Sequence, residues 1–101
     1  MVWDLRRALL KKEEVESARL MDFEFRLRAR SLRTLGEALG LHSAELARRS
    51  VVESDAAILQ ALSDEGRGSV ETLAATLAEC REAVRRELIA ERGDPTPNRL
   101  A

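Results

Sequence analysis

The chain has 101 residues, with 17 Lys and Arg against 18 Asp and Glu, a formal net charge of −1, five glycines, two prolines and one cysteine. This length supports one domain with one modest core, and a charge-rich, Gly- and Pro-poor composition is that of an all-α protein. The balanced charge disfavours nucleic acid as a partner, and a lone cysteine excludes an internal disulfide and suits a reducing compartment. Charges every few positions in residues 1–30 leave no room for a secretory leader, and no apolar run approaches a membrane span. A cytoplasmic location is therefore expected.

The first predicted helix is long. From about Trp3 to Leu39 only Gly36 interrupts, and Val15, Ala18, Met21, Phe25, Ala29, Leu32, Leu35 and Leu39 recur at intervals of three and four. That spacing predicts one apolar stripe facing a core, with Phe25 as its largest side chain. Upstream, Leu5, Ala8 and Leu9 start a similar stripe, but Lys12 and Glu16 stand where it would continue. Residues 1–16 are accordingly expected as a weakly ordered segment, 17–92 as the bundle and 93–101 as a flexible tail.

Gly40 suits the C′ position of this helix, and Ser43 is expected to cap a second one running to about Leu62, with Ala47, Val51, Ile58 and Leu62 facing inward. The β-branched pair Val51 and Val52, followed by Glu53, Ser54 and Asp55, weakens this helix in its middle, so a split near Asp55 is one expectation. SDEGRG, residues 63–68, reads as a loop. Ser69 then caps a third helix in which Val70, Leu73, Leu77, Cys80, Val84 and Leu88 repeat in a heptad-like rhythm to about Glu91, with Gly93 ending it. The architecture expected is a small antiparallel helical bundle of three to four helices with a long first helix.

Few residues carry chemistry. His42 is the only histidine and has no second ligand near it, so an exposed turn residue is its simplest role. Cys80 falls on an apolar stripe, where a thiol behaves as a small hydrophobe. No phosphate-cradling, dinucleotide, nucleophile-elbow or zinc-protease motif occurs. No enzyme activity, no cofactor and no metal are expected. Leu32 to Leu62 has spacing reminiscent of a helix-turn-helix, but Glu53 and Asp55 stand where a helix entering the major groove needs donors, which leaves a DNA-binding regulator as a third reading, behind the two given below, with an enzyme the least supported class.

The stretch FRLRARSLRTLG, Phe25 to Gly36, carries four arginines. Arg26, Arg30 and Arg33 share one helix face, with Arg28 nearer the core edge. Two readings stand at this point. The face is solvated and paired with Asp22, Glu24 or Glu37 at helical spacing, or it is a cationic surface for an acidic groove or a phosphate.

This stretch resembles the aromatic and basic segment of the alphaproteobacterial zeta subunit of F-type ATP synthase, a small helical inhibitor of ATP hydrolysis. The resemblance continues through Leu39 to Leu41, Ala44 and Glu45, and VVESD from Val51 to Asp55, and covers roughly residues 16–62. Trp3, Asp4 and Arg6 echo the family's opening at altered spacing. The resemblance implies a non-enzymatic, protein-binding regulator whose N-terminal segment enters a cleft between catalytic subunits. It places Trp3, Asp4, Leu5, Arg6 and Leu9 in the inserted arm. Arg26, Arg30 and Arg33 then lie on the docking surface, where a weak nucleotide contact is allowed. The alternative is a helical interaction or homo-oligomerisation module without an ATPase link.

Overall fold

A computed structural model describes residues 2–42 and 44–95, with side chains from Lys11 onward. Ser43, residues 96–101 and the side chains of Trp3, Asp4, Leu5, Arg6 and Leu9 lie outside the described residues. Four helices form a small all-α bundle: α1, Val2–Ala38; α2, Glu45–Arg49; α3, Asp55–Asp64; and α4, Val70–Arg92. The second predicted helix is thus two, divided at the β-branched and acidic stretch, with Ser54 accepting a hydrogen bond from the Ala57 N–H to cap α3. Ser69 caps α4 in the same way, accepting from Thr72 N–H.

Gly40 closes α1. Its φ of 75° lets Leu41 N–H reach Gly36 O while Gly40 N–H reaches Glu37 O, the paired bonds of a Schellman motif. Gly66 closes α3 with the same pair, Arg67 N–H to Leu62 O and Gly66 N–H to Ser63 O. Both turns are sharp enough to fold the chain back on α1 and α4.

Two apolar clusters hold the helices. The larger joins Leu32 and Leu35 of α1, Leu46 of α2, Ile58, Leu59 and Leu62 of α3 and Leu73 of α4, flanked by Leu39, Leu41, Val70, Leu77 and Cys80. Phe23 and Leu27 pack with Val84 and Leu88 in the smaller one, against Ile89. Leu73, Leu77, Cys80, Val84 and Leu88 therefore line one side of α4, as their seven-residue rhythm requires. Phe23 and Leu27 share a cluster with the late residues Val84 and Leu88 of α4, and Leu32 and Leu35 share one with its early residue Leu73, which sets α1 and α4 antiparallel.

The expected α1 stripe is corrected in its first half. Phe25 is 68% exposed, Met21 72% and Val15 58%, whereas Phe23 and Leu27 are buried. The core positions in this region are Phe23, Leu27, Ser31 and Leu35, spaced by four. Ser31 disguises them: it is a hydroxyl residue at a fully enclosed position, satisfied by donating to Leu27 O within the helix. Val51, expected to face inward, is 74% exposed, because α2 ends before it. Leu46 and Leu59 occupy the core in its place.

Candidate docking surface

Length determines which part of α1 is covered. Its 37 residues extend about 55 Å, while the 23 of α4 extend only about 35 Å. The end of α4 meets α1 near Asp22 and Phe23, so the part of α1 before that point runs on past the bundle. Residues 11–15 and 17–22 are exposed throughout. Val15, Leu20 and Met21 are apolar side chains on this overhang, and Phe25 stands at its root.

The four arginines of Phe25 to Gly36 are all engaged within the chain. Arg26 donates to Asp22 at 3.0 Å, and Arg33 pairs with Glu37 at 3.6 Å, both at helical spacing. Arg30 reaches across to α4, pairing with Glu87 at 3.2 Å and Glu91 at 3.1 Å. Two more pairs, Arg81 with Glu24 and Arg92 with Asp22, cross the same α1–α4 contact. The arginine face is therefore chiefly an ionic margin of the bundle, although its guanidinium side chains keep 38% to 59% of their surface open to solvent.

Arg28 does something different. Its Nε donates to Asp55 at 2.8 Å, one terminal nitrogen donates to Ser50 O and the other to Glu53 O at 2.7 Å. One planar guanidinium thus satisfies two carbonyls and a carboxylate in the turn between α2 and α3, which a lysine could not match. Arg49 closes the turn further by donating to Glu53 at 2.9 Å. That bond holds the Glu53 carboxyl below its ordinary range and raises the Arg49 guanidinium. The turn so fixed displays Val51 and Val52, the latter 86% exposed.

Met21, Phe25 and Arg28 follow one another along one side of α1. The stripe that α2 and α3 cover from Arg28 onward therefore continues, uncovered, through Phe25 and Met21. Sequence reasoning found these side chains by periodicity but gave them the wrong neighbour. The Val51–Val52 display was not foreseen, and the signal for it was the breaker run Glu53, Ser54, Asp55 just behind the valines.

The remaining candidates are modest. Cys80 is half-buried against the larger cluster, and burial pushes its thiol up, with Glu79 adding to the effect. His42 is exposed, its Nδ1 accepting a long bond from Ala44 N–H. A cleft of about 180 Å³ lies where the overhang leaves the bundle, lined by Arg19, Asp22, Phe23, Arg92, Gly93 and Pro95. Its one carboxylate, Asp22, already holds both Arg26 and Arg92. No described helix is long and apolar enough to cross a membrane. Set against protein-family models, curated proteins and solved structures, the chain matches none of them.

Proposed function

We propose that this chain is a non-enzymatic protein-binding regulator in which the overhang of α1 is the docking element, with catalytic subunits of F-type ATP synthase as the partner. The observation that carries the reading is the overhang itself. Met21 and Phe25 share one side of α1 and are 72% and 68% exposed, with no apolar cover among the described residues, and Val15 and Leu20 are exposed elsewhere around the same segment. An amphipathic helix of this kind docks by laying that face in a groove.

The partner is named by resemblance: the basic segment from Phe25 to Gly36, with VVESD after it, is similar to the zeta subunit. In this reading Trp3, Asp4, Leu5, Arg6 and Leu9 enter the partner, and Arg26, Arg30 and Arg33 flank the root of the arm. Their exposed ion pairs contribute little to stability, so their guanidinium groups can exchange Asp22, Glu37 or the α4 carboxylates for acidic groups of a groove. The reading goes with a cytoplasmic location. Its test is ATP hydrolysis by the ATP synthase of the same organism. Added protein is expected to slow hydrolysis and leave synthesis unaffected, and removal of residues 2–15 to abolish the effect. Hydrolysis that ignores the intact protein contradicts it.

A further inference from the structure

The cleft at the root of the overhang gathers more positive charge than the described residues around it balance. Arg19, Asp22 and Phe23 of α1 line it, together with Arg92 of α4 and Gly93 and Pro95 just beyond that helix. Asp22 is the one carboxylate of this lining, and two guanidinium groups share it, Arg26 at 3.0 Å and Arg92 at the longer distance of 3.4 Å. Arg19 precedes Asp22 by three residues and so stands on the same side of α1, yet it pairs with no carboxylate among the described residues. Three arginines thus meet one acid. Arg92 lies in the last turn of α4, where a cation offsets the negative end of the helix, which leaves Arg19 as the charge in excess.

We propose that this cleft binds a carboxylate carried on a short apolar stem. A planar guanidinium forks two N–H donors onto a carboxylate, and Arg19, with Arg92 beside it, offers such donors from the two helices that meet there. The rest of the lining selects the rest of the ligand. Phe23, Gly93 and Pro95 make a wall of ring, backbone and pyrrolidine carbon, which favours a carbon stem over inorganic phosphate or sulfate, whose whole surface is polar. At about 180 Å³ the cleft is smaller than the roughly 300 to 1,000 Å³ of sites for drug-sized ligands, so the stem is only a few heavy atoms long. A free short-chain acid and a glutamate side chain of another protein share this chemistry.

The inference does not rest on the ATP synthase reading, in which Arg19 and this cleft have no part. Amide and arginine side-chain NMR of the full chain tests it, with sodium butyrate titrated at constant ionic strength against sodium chloride and sodium phosphate. Butyrate is expected to move the Phe23 and Gly93 amides and the Arg19 Nε–H along saturating curves, with a dissociation constant in the millimolar range that suits so few atoms. Arg19→Gln, which removes the charge and keeps the helix, should weaken that binding about tenfold, with helical circular dichroism unchanged. A blocked tripeptide with a central glutamate separates the sources: saturation by both probes assigns a protein side chain, and saturation by butyrate alone a free acid. Shifts that rise linearly with butyrate, that chloride or phosphate reproduces equally, or that persist unchanged in Arg19→Gln each overturn the inference.

Discussion

The two halves of α1 are one continuous helix with opposite fates. From Phe23 to Leu35 its side chains Phe23, Leu27, Ser31, Leu32 and Leu35 are buried against three other helices. Before Phe23, the apolar Val15, Leu20 and Met21 face water. Nothing in local propensity separates these halves; what separates them is where α4 ends. A helix becomes core only over the length its neighbours can reach, and the apolar remainder stays exposed.

Four substitutions and one titration can break or sharpen that contrast. Leu35→Ala in the covered half should cost about 2 to 5 kcal/mol, since Leu35 is fully enclosed and its removal leaves a cavity; urea unfolding measures it. Arg28→Ala should cost about 1 to 3 kcal/mol by leaving Ser50 O, Glu53 O and Asp55 without their donor. It should also sharpen amide exchange in residues 50–54, while Arg28→Lys recovers only part of the loss. Ser69→Ala should cost about 1 kcal/mol through the lost cap of α4, visible as fraying of its first turn by chemical shift.

A smaller effect belongs to Cys80. Its thiol is raised in the folded chain, so the unfolded chain gives up its proton first as pH climbs. The contribution of the buried thiol is complete below the ordinary thiol range and is lost as pH rises through the folded value. Stability measured against pH on the alkaline side should fall less steeply in Cys80→Ala than in the parent. An equal slope would place the thiol in solvent.

The readability of the sequence follows the same division. Positions where a local rule acts alone were legible: Ser69 as a cap, Gly40 and Gly93 as terminators, the seven-residue rhythm of α4, and the break before Asp55. The phase of α1 was not. Val15, Met21 and Phe25 fit a helical stripe as well as Phe23 and Leu27 do, and a serine inside the buried stripe made it look the poorer choice. Pairings such as Arg30 with Glu87 and Glu91 join residues 57 and 61 positions apart and leave no trace in local spacing. Arg28 was half legible, since its position between the stripe and the polar face marks a side chain able to reach both.

The contrast within α1 is tested most directly by paired thermal unfolding of Leu27→Ala and Phe25→Ala, at a dilution that keeps the chain monomeric. Leu27 is wholly enclosed and Phe25 about two-thirds exposed, although they are two residues apart. Leu27→Ala should lower stability by about 2 to 5 kcal/mol, and Phe25→Ala should change it by no more than about 0.5 kcal/mol. A loss at Phe25 equal to that at Leu27 would put Phe25 in the core and leave α1 with no free face to offer a partner.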